Sequence, residues 1–307
     1  MAHEHHHHVN NLQGKKLLWV ALFNFAITVV QIIGGIISNS LSLISDAVHN
    51  LGDASAIFIA FLAGKHNQKP ANKHRTFGHK RIEILAALFN SVVLIAISLY
   101  LFFEAYQRFI TPEPIKGKIM SIVATFGLLA NLISVLVLNK DQNHNLNIKA
   151  AYLHLLGDTL SSVAVILGGI AIWFYNLHWI DPLITVAVSI FIIYHTWSVV
   201  KQTVDILMQT TPANINIDNI KSKVEDIKEI ENIHHVHIWK LDDKQTHFEA
   251  HINLKYNLDM EKTMMIKQDV EHLLEHHFKI QHITLQMEYN ICDDNKELIK
   301  NSEKNIK

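Results

Sequence analysis

The stretch IEILAALFNSVVLIAISLYLFF, residues 82–103, decides the fold class of this chain. Glu83 is its only charged residue. About 20 apolar residues in a helix cross the roughly 30 Å of hydrocarbon in a bilayer. Backbone groups in that layer find partners only within helices or closed barrels, and the stretch is too long and too continuously apolar for a barrel strand. It therefore predicts a transmembrane helix.

Five further segments have the same character. They are residues 17–37, 41–64, 119–138, 150–174 and 180–204. The whole chain of 307 residues is 49% hydrophobic and only 18% charged, whereas about a quarter of the residues in a soluble domain are charged. The charged residues crowd into roughly the last hundred positions. We therefore predict an all-α six-helix transmembrane bundle followed by one small polar domain.

The polar domain is predicted to be α+β, in the order α-β-β-α-β. Apolar residues at helical spacing start it at Ile217, strands follow at 236–241 and 247–254, and a second helix at 264–278 precedes a strand at 282–289. The predicted division of the chain is a His-rich tail at 1–14, a transmembrane domain at 15–208, a cytosolic domain at 209–291 and a charged tail at 292–307.

The distribution of lysine and arginine predicts the orientation of the chain in the membrane. In a six-span arrangement eleven lysines and arginines flank one membrane side, against only Arg108, Lys116 and Lys118 on the other. The richer side is cytoplasmic, so both termini and the polar domain are expected in the cytoplasm. No cleavable leader is recognised, which favours the plasma membrane of a bacterium. The run His5–His8 is either a purification tag or a native metal-collecting tail.

Composition also excludes several functions. The net charge of −1 argues against nucleic acid as a partner, and no GxxxxGK loop indicates a nucleotide. The single cysteine, Cys292, excludes an internal disulfide and a cysteine-based zinc cluster.

A repeated motif carries the chemistry. HNLGD, from His49 to Asp53, lies in the second span, and HLLGD, from His154 to Asp158, lies in the fifth. Residues four apart share a helix face, so each helix offers one imidazole and one carboxylate. Two such pairs form a tetrahedral set suited to Zn²⁺. An intramembrane Asp costs at least about 2.5–3.5 kcal/mol, and a bound ion or protons would compensate that cost.

Residues beside the motif have predicted roles as well. Gly52 and Gly157 would let neighbouring helices approach closely. Asp46, three residues before His49, is either an acceptor for an imidazole N–H or a polar group near the membrane surface.

These motifs resemble the cation diffusion facilitator family, and within it the zinc-transporting branch of bacterial zinc/cadmium efflux type. The matching stretches are SLSLISDAVHNLGD at 40–53, FGHKRIE at 77–83 and HLLGD at 154–158. The resemblance implies a homodimer in the lipid bilayer that exports Zn²⁺ in exchange for protons. It places the transport site on His49, Asp53, His154 and Asp158. Cd²⁺, Co²⁺ and Fe²⁺ remain open as other cargo.

The resemblance also implies metal sites outside the bilayer. One is a loop site at His74 and His79, for which solvated histidines that merely attract metal are an equal alternative. The other is a zinc site in the metal-binding and dimerisation domain at 209–291. Its candidate ligands are His234, His237, His251, His282 and Glu288.

The mechanism expected from the residues is alternating access driven by protons. Metal ligands must lose their protons before they bind, and histidine titrates near neutral pH. The rival interpretations are a membrane metallohydrolase, which would need an open metal position and a general base, and a zinc-binding sensor, which would need no paired ligands in two membrane helices.

Overall fold

The computed structural model of this chain describes residues 5–67, 71–139, 146–290 and 298. Within those helices the side chains of 5–21, 56–57, 59–67, 137–139 and 146–156 lie outside the description. Most of the predicted charged tail at 292–307 also lies outside it. The described residues fall into two compact units, one within 1–70 and 85–201 and the other within 71–84 and 202–307.

Six long helices cover the six predicted spans. They are α1 (His5–Ser38), α2 (Leu41–Asn67), α3 (Arg81–Ile110), α4 (Gly117–Asn139), α5 (Leu146–Tyr175) and α6 (Ile180–Leu207). Each predicted apolar segment falls inside one of these helices. Most helices extend past the apolar segment by a few residues, because hydropathy marks the hydrocarbon layer and not the helix end.

The first unit has the apolar surface expected of a protein surrounded by lipid. Within the described residues, four helical segments are long and apolar enough to cross a membrane: Arg81–Ile110, Gly117–Leu136, Gly157–Tyr175 and Ile180–Leu207. Large apolar side chains point outward, among them Phe89, Leu160 and Tyr194, each at least 70% exposed. Polar side chains such as Gln31 and Asp181 are buried instead. This distribution confirms the predicted transmembrane bundle.

The start of α2 is anchored by a buried acid on α6. Asp181 is 0% exposed, and its carboxylate accepts hydrogen bonds from the hydroxyls of Ser40 and Ser42, at 2.6 Å each, and from the backbone N–H of Leu41 at 2.8 Å. The first N–H groups of a helix have no partner within the helix, and the positive end of the helix dipole favours an anion there. Asp181 therefore caps α2 from another helix.

A second anchor holds the link between α1 and α2. Asn39 has a left-handed backbone (φ 58°), which an asparagine adopts more readily than most residues. The guanidinium of Arg108 on α3 donates to the carbonyl oxygen of Asn39 at 2.6 Å and to its side-chain oxygen at 2.9 Å. Asp181 and Arg108 together determine where α2 begins, and α2 carries His49 and Asp53.

The second unit contains the small α+β domain. Its elements are α7 (Ile217–Glu225), β1 (Ile230–Lys240), β2 (Thr246–Leu254), α8 (Met260–Phe278) and β3 (His282–Tyr289). The sheet order is β1-β2-β3, with β1 antiparallel to β2 and β2 parallel to β3. The predicted order α-β-β-α-β is confirmed.

The core of this domain is a single apolar layer between the sheet and the helices. Phe248, Ile252 and Leu285 from the strands pack with Val270 and Leu274 from α8. Apolar and polar residues alternate along β2, and the apolar residues face this core. The same alternation leaves the opposite face of the sheet to histidines and acids.

Two element boundaries in this domain differ from the prediction by more than one residue. Strand β1 begins at Ile230, six residues before the predicted start at 236, because a register irregularity between His234 and His237 interrupts the alternation there. Helix α8 begins at Met260, four residues before the predicted start at 264, because the Asp259 side chain accepts from the Lys262 N–H and caps it.

Helices α4 and α5 pack through glycines. A Cβ added at Gly117 would lie 2.5 Å from the carbonyl oxygen of Gly169 and 2.7 Å from the backbone nitrogen of Trp173. Gly52 is also closely approached, by Leu94, as predicted. Gly157 is not, since no described atom lies within 4 Å of its added Cβ, so that part of the prediction is wrong.

We expect Gly117→Ala to destabilise the transmembrane unit by about 1–3 kcal/mol, the usual cost of overpacking, because backbone atoms on α5 cannot move aside as a side chain can. The measurement is thermal unfolding in detergent. Gly157→Ala is the matched control and should be neutral or slightly stabilising, since alanine favours a helix over glycine by about 1 kcal/mol. Equal thermal unfolding midpoints for Gly117→Ala and wild type would contradict this close packing of α4 against α5.

Candidate metal sites

Three ionisable side chains meet inside the transmembrane unit. His49 and Asp53 lie on α2, and Asp158 lies on α5. The Nε2 atom of His49 is 3.2 Å from Oδ1 of Asp158 and 3.6 Å from Oδ2 of Asp53. One ligand atom from each residue lies within 4.8 Å of the others. The structure thus brings together three of the four residues predicted for the transport site.

The spacing of these atoms fits a tetrahedral cation. Bonds from Zn²⁺ to histidine and carboxylate are about 2.0–2.2 Å long, so ligand atoms at tetrahedral angles lie about 3.3–3.6 Å apart. The two distances from His49 are close to that range. Two carboxylates and one imidazole also provide the negative charge that a divalent cation needs in a medium of low dielectric constant.

The fourth predicted ligand is His154. It lies in α5, one helical turn before Asp158, so both residues share a helix face. Its side chain lies outside the described residues. His154 therefore remains a prediction from the motif and its spacing.

Asp46 is buried in the same unit, at 1% exposure. Its carboxylate accepts hydrogen bonds from the Gln31 side-chain amide at 2.9 Å and from the Ser161 hydroxyl at 2.7 Å. The Ser161 oxygen is also 2.9 Å from the backbone carbonyl oxygen of Asp158. Asp46 thus connects α1, α2 and α5 close to the candidate ligands, which suits a role in orienting them.

A cavity of about 540 Å³ opens on the three ligands. Residues of α2, α3, α5 and α6 line it: His49, Asp53, Ala87, Asn90, Ser91, Leu94, Gly157, Asp158, Phe191, His195, Thr196 and Val199. The sequence analysis did not single out His195. A lone histidine in an apolar helix has no partner at a recognisable spacing, so only its position on the cavity wall marks it.

A second cluster lies on the polar face of the cytosolic sheet. Glu288 on β3 is 5% exposed, and its carboxylate oxygens lie 2.8 Å from Nδ1 of His251 and 3.4 Å from Nε2 of His234. His234, His235 and His251 each place a ring nitrogen within 4.8 Å of the others. Three imidazoles and one carboxylate are a donor set that suits Zn²⁺.

The sequence analysis missed His235 because a local distortion of β1 directs it to the cluster. His235 has a left-handed backbone (φ 51°), which is uncommon for a residue with a side chain. It lies within the irregularity between His234 and His237. Strict alternation would put neighbours 234 and 235 on opposite faces, but the distortion brings both rings to His251, at 5.4 and 4.7 Å between ring centroids.

The remaining predicted ligands lie elsewhere. His237 is exposed and is paired with Glu249 in the sheet. The ring of His282 lies 4.4 Å from that of His247, and burial together with His282 and Lys80 lowers the pKa of His247. Among the residues that the structure describes, His74 and His79 are not gathered with a third metal ligand.

Comparison with known protein families covers both units. The chain matches the family model described as the cation efflux transmembrane domain over residues 17–208. It matches the one described as the cation efflux protein, cytoplasmic domain, over residues 212–290.

Individual relatives are similar along nearly their whole length. The zinc transporter ZitB of Pectobacterium atrosepticum is 37% identical over 297 residues, which is 96% of this chain and 91% of that protein. The cadmium, cobalt and zinc/H(+)-K(+) antiporter of Bacillus subtilis is 37% identical over 94% of this chain and 92% of its own length. The metal cation efflux system protein CzcD of Cupriavidus metallidurans is 34% identical over 95% and 91%.

We expect His251→Gln to lose about one zinc ion per chain, because it removes a nitrogen ligand from a cluster whose donor set suits Zn²⁺. The measurement is zinc content of the purified full chain after dialysis against a weak chelator. His282→Gln is the matched control, since this strand histidine lies beside His247, outside the cluster. The opposite result, zinc lost from His282→Gln but kept by His251→Gln, would contradict the assignment.

Proposed function

This chain belongs to the cation efflux family, and we propose that it is a secondary transporter that exports Zn²⁺ through a site formed by His49, Asp53, His154 and Asp158. The observation that carries the proposal is the meeting of His49 and Asp158 across two membrane helices, at 3.2 Å. Ionisable residues inside a membrane protein mark ion pathways. The names of its relatives refer to zinc, cadmium and cobalt, so Zn²⁺ is the first candidate cargo and Cd²⁺, Co²⁺ and Fe²⁺ are further candidates.

The site would bind the ion by replacing its water shell. The two carboxylates neutralise the divalent charge, and the histidine nitrogens complete tetrahedral coordination. His49 must be deprotonated at the atom that binds the metal. Asp53 is the most exposed of the three described ligands, with its side chain 32% exposed against 9% for His49 and 4% for Asp158. It is therefore the group that an entering ion meets first.

Release would use protons. When the site faces the other side of the membrane, protons compete with the metal for histidine nitrogens, whose pKa is ordinarily near neutral. The protonated site then returns, so one cycle exchanges metal for protons. The word antiporter in the name of the Bacillus subtilis relative supports this coupling.

We further propose that the chain is a homodimer in the bacterial plasma membrane, with both termini in the cytoplasm. The excess of lysine and arginine on one membrane side supports the orientation. The domain at 209–291 would sense cytosolic zinc through His234, His235, His251 and Glu288. Zinc bound there would stabilise one arrangement of the transporter and so change its affinity for the cargo, by linkage.

The transport site is tested by Asp158→Asn. This change keeps the size of the side chain and removes its negative charge, so zinc uptake into liposomes should fall by at least about 100-fold, the loss expected when about 3 kcal/mol of ion binding disappears. A zinc-sensitive dye inside the liposomes reports uptake. Glu275→Gln is the control and should keep the wild-type rate, because Glu275 is an exposed carboxylate on α8 that is not among the residues lining the cavity. Wild-type uptake by Asp158→Asn would contradict the assignment.

Proton coupling is tested with the wild-type chain. Zinc uptake should accelerate when the liposome interior is more acidic than the outside, because outward proton flow then drives inward zinc movement. A protonophore that collapses the gradient should remove the acceleration. Equal rates with and without the gradient would contradict antiport, and zinc binding without any uptake would favour a sensor.

A further inference from the structure

His195 belongs to neither candidate metal site, and three of its properties suit a role in ion transport. It is an imidazole on α6, a helix apolar and long enough to cross the membrane. It is exposed in the isolated chain. It also lines the same cavity as His49, Asp53 and Asp158. Ionisable side chains within membrane helices almost always face the bundle interior or a water-filled cavity, and they mark substrate pathways.

The cavity wall offers a cation acidic and neutral polar groups among its apolar residues. Its described lining residues include two aspartates and no lysine or arginine, so its field attracts positive ions. Asn90, Ser91 and Thr196 add neutral polar groups. Among the described lining residues, His195 is the one side chain outside the candidate transport site that offers a ligand of the kind zinc prefers.

Phe191 packs against both His195 and His49, the latter a residue of the candidate transport site. Its ring centroid is 4.3 Å from that of His195 and 6.1 Å from that of His49, which meets it edge-on at 83°. Phe191 and His195 are four residues apart on α6 and share a helix face. An ion that passes from His195 to His49 therefore moves past the Phe191 ring.

We propose that His195 is a transient zinc ligand in the cavity, which binds the ion with water and passes it by Phe191 to His49, Asp53 and Asp158. The proposal rests on the proposed transport function and adds a step to it. A single imidazole leaves the ion's remaining positions to water, so this binding is weak. Weak binding suits a step on a pathway, because an ion that enters at one position must also leave it.

A pair of substitutions separates ligation from packing. His195→Leu removes the ligand and keeps an apolar side chain, whereas His195→Cys retains an atom that binds zinc. We expect His195→Leu to raise the KM for zinc uptake into liposomes about tenfold, as for loss of one modest contact, with the maximal rate within about twofold of wild type. His195→Cys should bring KM back to within about threefold of wild type.

Equilibrium binding gives the second readout. The zinc-binding component that Asp158→Asn abolishes should keep its Kd within about twofold in His195→Leu, because the transient ligand is not part of the final site. An unchanged KM in His195→Leu overturns the proposal. So does a KM that is raised equally in His195→Leu and His195→Cys, which indicates a packing role, and so does a large loss in Kd, which makes His195 a permanent ligand.

The same experiments distinguish this inference from the transport site itself. If Asp158→Asn loses uptake while His195→Leu behaves as wild type, only the transient ligand is wrong. If Asp158→Asn transports normally, the transport site is wrong, whatever His195→Leu does.

Discussion

A bilayer interior contains no water to solvate a charge, and the transmembrane unit is arranged around that constraint. His49 and Asp158 lie 3.2 Å apart on separate helices, because an isolated acid in hydrocarbon is costly and an ionisable partner lowers that cost. In the proposed transport site a bound cation would satisfy the same groups. Under that proposal, folding and ion binding depend on one cluster, so the site can be buried without destabilising the helices that carry it.

The position of this cluster depends on α2. Asp181 on α6 caps its first turn, and Arg108 on α3 holds the preceding residue, Asn39. Asp46, one turn before His49, accepts from Ser161 on α5. These contacts are buried or partly buried hydrogen bonds between segments that are distant in the sequence, and such bonds keep their strength where water is excluded. Movement of α2 relative to α5 would rearrange these contacts together, so the polar contacts that position the site also constrain how it can open.

The cytosolic domain also gathers histidines and an acid, but in a different environment. Its sheet has an apolar face that forms the core and a polar face that carries Glu288 and the histidines near it. Water can reach part of this cluster, so its ionisable groups do not carry the cost of burial in a bilayer. A strained residue, His235, brings a third imidazole to it. Unusual backbone geometry of this kind is retained where the surrounding structure over-determines it, often at functional sites.

The amino-acid sequence alone determined the six helices, the α-β-β-α-β order and the pairing of His49 with Asp53, because hydropathy and helical spacing are local properties of the chain. Tertiary structure decided what depends on contacts between distant segments. It brought Asp158 to His49, left Gly157 without a close neighbour among the described residues, placed His195 on the cavity wall and separated His282 from His251. The distortion in β1 is also of this kind, since alternation predicts the face of each residue only while the strand stays regular.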